Sequence, residues 1–200
     1  MHRTLRLLTV VAASVLSGGL ASAFAQATPT ATRLIDPAIF VGTTGVYTGL
    51  DSGRNLSVTA GIDLAFCPVR KLEPALEYRG MYAIDKGQID SLKSNLGGLK
   101  LSTYYARLHP YADLLVGRGE TAYANGGYQV PSKLIFYTQS SSNVFSLGGG
   151  TDVFAGHHFA LKIDLQIQRY SSPVTPSGHL YSEIGTIGLV YALHLGGSPR

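Results

Sequence analysis

The run Phe159-Ala-Leu-Lys-Ile-Asp-Leu-Gln-Ile-Gln-Arg-Tyr170 carries a large apolar side chain at every odd position from Phe159 to Ile167. Lys162, Asp164, Gln166 and Gln168 fill the even ones. A period of two puts alternate residues on opposite faces of an extended chain, so this is a strand with one apolar and one strongly polar face. In a water-soluble sheet the apolar face turns to the core. Recurrence of the pattern along a chain with an export signal fits the reverse arrangement, a closed sheet with apolar side chains outside and charge inside.

The export signal is residues 1 to 25. Arg3 and Arg6 form its basic start, and Leu7 to Leu20 is almost wholly small or apolar. Ala23-Phe24-Ala25 supplies the small residues for cleavage before Gln26, with Ala21-Ser22-Ala23 as a second possible site. Ser17-Gly18-Gly19 interrupts the apolar stretch, which is shorter than the ~20 residues of a spanning helix. No Cys lies near the cut, which excludes a lipoprotein signal. No later segment has the length of apolar chain that a membrane helix needs, so any membrane location must come from strands.

Removing the signal takes Arg3 and Arg6 with it, and the net charge falls from +4 to +2. With no basic cluster, that charge excludes nucleic acid as an expected partner. Charged residues make up only 14%, against 24 Gly and 12 Tyr, a balance that suits packed strands better than helices. Cys67 is the single cysteine, so no internal disulfide can brace the exported domain and the sheet must hold itself.

Residues 26–37 show no periodicity and read as a loose leader. Beyond them, turn signals separate eight predicted strands: Ala38–Leu50, Leu56–Pro68, Glu73–Ile84, Leu92–Tyr105, Pro110–Glu120, Ser141–Ala155, Phe159–Tyr170 and His179–Leu195. The connections alternate between long (Asp51–Asn55, Asp85–Ser91, Thr121–Ser140, Ser171–Gly178) and short (Val69–Leu72, Ala106–His109, Gly156–His158). Long loops at one end and tight turns at the other describe an all-β, eight-stranded antiparallel up-and-down transmembrane β-barrel over 38–195, followed by a tail, 196–200.

Parity sharpens the expectation. Val58, Ala60, Ile62, Leu64 and Phe66 share one face of the second strand, opposite Thr59, Gly61 and Asp63. Leu76, Tyr78, Tyr82 and Ile84 oppose Glu77, Arg79 and Met81; Ala112, Leu114 and Val116 oppose Tyr111, Asp113 and Gly117. Collecting the polar faces gives Asp63, Glu77, Arg79, Lys100, Asp113, Asp152, Lys162 and Asp164. An eight-stranded barrel has little interior room, so these groups are expected to pair in a packed polar lumen that leaves no open pore. Arg169 and Glu183 fall on the outward parity beside the fourth long loop, where an interface tolerates charge.

These features together resemble the small eight-stranded outer-membrane barrels of Gram-negative envelopes, the OmpA/OmpX-like families, over about residues 38 to 195. Phe145-Ser-Leu-Gly-Gly-Gly-Thr-Asp152, a short turn, and Phe159-Ala-Leu-Lys-Ile-Asp164 look like the penultimate hairpin of such proteins. Thr186, Gly188, Tyr191 and Leu193 match, in order, the barrel-assembly signal of the class, with Leu195 where a terminal aromatic residue is common. The resemblance implies residence in the outer membrane, contact with its lipid and lipopolysaccharide, and recognition by the barrel-assembly machinery. The peptidoglycan-binding domain that follows some OmpA-type barrels is not found in this sequence.

The remaining motifs carry little chemistry. His157 and His158 are adjacent, so on a strand they point to opposite faces, and no further ligands stand at metal-binding spacing. Gly148-Gly-Gly150 and Gly117-Arg-Gly119 precede no helix and are read as room for large lumen side chains rather than as phosphate loops. Cys67 is read as a small packing residue. No cofactor is expected. The long loop, Thr121–Ser140, is the candidate surface-binding element, through Tyr123, Tyr128, Phe136 and Tyr137; the alternative is a loop lying on lipopolysaccharide or folded over the barrel mouth. The expected role is structural or adhesion-like and non-enzymatic. Two alternatives stay open: a lipid A-modifying barrel enzyme, for which His179 and Asp164 are the available base and acid, and a periplasmic lipocalin-like carrier, which would turn Lys162 and Asp164 outward to water.

Overall fold

A computed structural model describes residues 35–124, 126–129, 136–156 and 158–193. The export signal, most of the leader, His157, Leu195 and the tail lie outside these residues. Among them, eight long strands close into one antiparallel barrel. These are β1 (Ile35–Tyr47), β2 (Arg54–Phe66), β3 (Leu72–Asp85), β4 (Asp90–Thr103), β5 (Leu108–Tyr123), β8 (Gln139–Phe154), β9 (Phe159–Ser171) and β10 (His179–Ala192). Two short strands, β6 (Tyr128–Gln129) and β7 (Phe136–Tyr137), pair with each other within the long loop.

Each barrel strand pairs with its sequence neighbour, and β1 closes on β10 from Ala38↔Ala192 to Tyr47↔Glu183. Closure satisfies the backbone groups that an open sheet would leave unpaired at two edges. The first strand begins at Ile35, inside the segment read as leader, because Ile35, Asp36 and Pro37 pair with Phe66, Ala65 and Leu64. The strands around the third connection also run further than the sequence suggests, and that connection shrinks to residues 86–89. The asymmetry between the two ends therefore rests mainly on the segment between β5 and β8.

The alternation of β9 is complete: Phe159, Leu161, Ile163, Leu165 and Ile167 are exposed, while Ala160, Lys162, Asp164, Gln166 and Gln168 are buried. The same outward parity exposes Ile39 and Val41, Leu76 and Tyr78, Leu114 and Val116, and Ile187 and Leu189. The exterior is an apolar band and the interior holds the charge.

One expectation needs correction. The lumen is not polar throughout. Towards the long-loop end, Val46, Met81, Leu92, Leu96, Leu115, Val144, Tyr170 and Ile184 form a buried apolar core. Leu115 sits between the outward Leu114 and Val116, so at that height both faces of β5 are apolar and alternation cannot separate them. A smaller cluster, Phe40, Ala160 and Val190, lies towards the opposite end.

Glycines set the close approaches. At Gly61 an added Cβ would stand 2.4 Å from Phe40 Cζ and 2.4 Å from the Tyr78 carbonyl oxygen; at Gly45 it would meet nothing within 4 Å. Gly61→Ala is therefore expected to destabilise the barrel by about 1–3 kcal/mol through overpacking. Gly45→Ala should be neutral or stabilising by roughly 0.5–1 kcal/mol, because a strand glycine loses more chain entropy on folding than alanine. Urea-unfolding midpoints of the two variants in the same micelle check the contrast.

Candidate functional site

The eight charged residues singled out from the sequence all lie buried inside the barrel, carried by β2, β3, β4, β5, β8 and β9. Two cations organise them. Arg79 donates from Nη1 to Asp164 Oδ2 at 2.7 Å, contacts Asp113 Oδ2 at 3.5 Å, and pairs with Glu77 on its own strand. Lys100 Nζ donates to Asp63 Oδ2 at 2.8 Å and to Asp152 Oδ2 at 3.2 Å. Each cation thus ties together carboxylates from different strands, which is what makes these charges tolerable away from water.

Neutral groups extend the network. Gln166 Nε2 donates to both Asp113 oxygens at 2.9 and 2.8 Å, and Ser146 Oγ donates to Gln166 Oε1 at 2.7 Å. Tyr111 donates its hydroxyl to Asp164 Oδ1 at 2.9 Å. Gly148 and Gly150 make room for these side chains: an added Cβ would lie 2.2 Å from the Gln166 amide and 2.7 Å from the Tyr111 hydroxyl, respectively. Above the ions, Thr44 Oγ1 bridges Thr59 (2.7 Å) and Thr186 (2.9 Å).

Lys162 is held differently. Its ammonium lies 3.9 Å from Asp152 Oδ1 and has no hydrogen-bond partner. It also sits over the rings of Phe40 at 4.5 Å and Tyr111 at 4.3 Å, whose quadrupoles add to the attraction of that carboxylate. The sequence marks Lys162 as a lumen charge but carries no sign of its aromatic neighbours. Phe40 and Tyr111 could be suspected only from being large residues on the lumen parity.

The long-loop end has contacts of its own. Asp90, wholly buried at the start of β4, accepts a hydrogen bond on Oδ1 from Thr48 Oγ1 at 2.7 Å, while its Oδ2 has no partner. Asn55 donates to the Asp90 carbonyl at 3.4 Å, so this residue ties the β1–β2 turn to β4. Of the candidate surface aromatics, Tyr123 is a correction: it is buried in the apolar core, with its hydroxyl 3.3 Å from Ser172 Oγ. Tyr128 and Tyr137 pack against that core, and Tyr128 donates to Asp51 Oδ2 at 2.7 Å. Phe136 is exposed. Tyr128 and Tyr137 fold over the barrel mouth, because the apolar top of the lumen gives their rings a surface to cover.

Other sequence candidates do not assemble into a site. Among the described residues, no three His, Cys, Asp or Glu side chains are placed to hold a metal ion. His179 packs against Arg169 at 2.7 Å. It stands seven positions along β10 from Thr186, the residue facing Asp164, or roughly 20 Å away. Cys67 is exposed just beyond β2 rather than packed. Thr186 and Gly188 face the lumen, Tyr191 lies outside against Phe159 with ring centroids 5.1 Å apart, and Leu193 is half-buried with its amide on the Pro37 carbonyl.

Comparison with solved structures places this architecture. Neisserial surface protein A (NspA) aligns at 11% identity over 78% of this chain and 96% of its own, with a TM-score of 0.51. The fold is that of the small eight-stranded outer-membrane barrels. Ail, the attachment invasion locus protein of Yersinia pestis, in complex with the heparin analogue sucrose octasulfate, aligns at 12% identity over 80% of this chain and 100% of its own, with a TM-score of 0.48. OprG from Pseudomonas aeruginosa aligns at 14% identity over 81% and 97%, with a TM-score of 0.43. No protein-family model and no curated protein matches the chain.

Arg79→Met leaves three buried carboxylates without their shared cation and should destabilise the barrel by about 3–5 kcal/mol. Lys162→Met, which removes a group without hydrogen bonds, should cost clearly less; urea midpoints rank the two. Asp90 lies beyond the outward Lys93–Glu120 pair and so above the apolar band. Burial pushes its carboxyl up to about 6; the Thr48 hydrogen bond opposes this and the charge of Asp51 adds to it. The folded protein therefore holds this proton longer than the unfolded chain. The resulting stabilisation is full below about pH 4 and is lost as pH rises through 6, each tenfold difference in proton affinity between the two states being worth about 1.4 kcal/mol. Amide protection factors around Thr48 and Asn55, which remove the intrinsic rise of exchange with pH, should fall over that range in the wild type and stay level in Asp90→Asn.

Proposed function

We propose that this protein is an integral outer-membrane barrel with a sealed lumen and a non-enzymatic role in envelope structure or surface contact. The observation that carries the reading is the inverted distribution of polarity: leucine, isoleucine, valine and aromatic residues outside, ion pairs inside. From Phe159 to Ile167 the outward apolar run of β9 climbs roughly 27 Å. A tilt of about 40° leaves about 20 Å of height, most of the ~25 Å apolar band of such barrels. Exposed Tyr47, Tyr82 and Tyr181 lie towards the long-loop end, and Phe159, Tyr191, Tyr104 and Tyr105 towards the other. Two aromatic girdles made without tryptophan suit the two interfaces of a bilayer.

A lipocalin-like carrier would expose Lys162 and Asp164 and keep an apolar cavity inside. Here both are 1% exposed, and the interior carries buried ion pairs. A catalytic barrel would need a base beside a nucleophile, and the distance between His179 and Asp164 supports no such pair. The surface role is supported by exposed Phe136 on β7, which unlike Tyr123, Tyr128 and Tyr137 does not pack on the apolar core. Contact with lipopolysaccharide suits the outward Arg54 and Arg169 near that end. Export through a cleaved signal and delivery by the assembly machinery belong to the same proposal.

Unboiled and boiled samples from a purified outer-membrane fraction should run at different mobilities in SDS. A soluble periplasmic protein without a shift would overturn the reading. Reconstituted in a planar bilayer, the barrel should give no steady conductance. Deleting 126–137 should preserve the heat-dependent shift and abolish any cell-surface adhesion that the full protein confers.

A further inference from the structure

The short-turn end carries a second feature that the sealed barrel does not use. The β2–β3 and β4–β5 connections end in two-residue turns of the same form. Val69 and Leu72 exchange backbone hydrogen bonds at 2.8 and 3.2 Å, and Tyr105 and Leu108 do so at 2.9 Å each. The first central residue of each turn, Arg70 and Ala106, has a left-handed φ of 60° and 55°. L side chains adopt that region uncommonly, and glycine would fill it without strain. The second central residue is a cation in both turns, Lys71 and Arg107. The turns are neighbours, because β3 and β4 pair and Thr103 Oγ1 donates to the Lys71 carbonyl at 2.8 Å.

Under the first turn, Leu72, Pro74 and Leu101 line an outward groove of about 800 Å³ whose upper wall is Val69, Arg70 and Lys71. Leu72 and Leu101 are exposed, and Pro74 pairs with Leu101 across the two strands. Among the described residues no carboxylate is in an ion pair with Arg70, Lys71 or Arg107. The groove is thus apolar along its length and cationic at its head.

We propose that this groove binds an anionic phospholipid of the leaflet at the short-turn end, one acyl chain against Leu72, Pro74 and Leu101 and the phosphate between Arg70 and Lys71, with Arg107 adding to the local potential. The inference rests on the barrel spanning a membrane. Charge complementarity selects the occupant: a zwitterionic lipid brings its own cation to the headgroup plane, whereas an anionic one leaves a net charge for two adjacent side chains to meet. Basic side chains at a membrane surface attract anionic lipid, and the effect falls off within a Debye length, so it is local to these turns.

The test is native mass spectrometry of the full barrel released from bilayers of phosphatidylethanolamine with one-fifth phosphatidylglycerol, read as bound-lipid composition relative to the bilayer. Wild type should retain phosphatidylglycerol enriched about fivefold or more. Arg70→Gln with Lys71→Gln should return the ratio to that of the bilayer, and Lys86→Gln at the opposite end should leave the enrichment intact. No enrichment in the wild type, or enrichment that survives the double substitution or falls equally with Lys86→Gln, overturns the inference while leaving the membrane barrel standing. A wild-type barrel that does not insert, judged by loss of its heat-dependent mobility shift, overturns both.

Discussion

Arg79 reaches carboxylates carried by β3, β5 and β9, and the interior of the barrel depends on that convergence. In the ionic part of the lumen, Asp63, Glu77, Asp113, Asp152 and Asp164 face Arg79, Lys100 and Lys162. Left unpaired, any one of them would cost several kcal/mol, so the strands that bear them must arrive at a single relative register. A slip of one residue in β9 would carry Lys162 and Asp164 to the outer face and bring Ile163 and Leu165 inside. The apolar exterior and the ionic interior are therefore one constraint seen from two sides. Closure of β1 on β10 then removes the two barrel edges at which that register could drift.

The lumen is stacked by chemistry. Ion pairs occupy the part nearer the short turns, threonine and glutamine side chains the middle, and leucine, valine and tyrosine the part nearer the long loops. This order explains why the loop between β5 and β8 lies down on the barrel. Tyr128 and Tyr137 cover an apolar surface that would otherwise meet water. A lumen ionic to its mouth would have offered them nothing, and the loop aromatics would have been free to form an exterior patch.

The strands, their order and their faces are legible because a half-exposed strand writes its two environments in alternation, and β9 does so over its whole length. The lumen charges are legible for the same reason, since Lys162 and Asp164 interrupt an apolar series at fixed parity. Leu92, Leu96 and Leu115 are not, because where both faces of a strand are apolar the alternation vanishes. Tyr123 escapes the sequence for a related reason. It lies at the end of β5, and whether an aromatic residue there ends a strand inside or begins a loop outside depends on how far pairing with β8 extends. Cys67 escapes it because a small residue near a strand end packs or not according to the turn that follows it.

By itself, the sequence determined that the chain forms alternating strands, that they number eight, and that charge and grease part on opposite faces. Side-chain parity is a local property, fixed by the backbone geometry of an extended chain. Only the tertiary structure decided which charges meet, that Phe40 and Tyr111 flank Lys162, and that two cationic turns stand side by side above an apolar groove. Those facts depend on strand stagger around a closed sheet, which brings together residues as far apart as Arg79 and Asp164, and no local pattern records it.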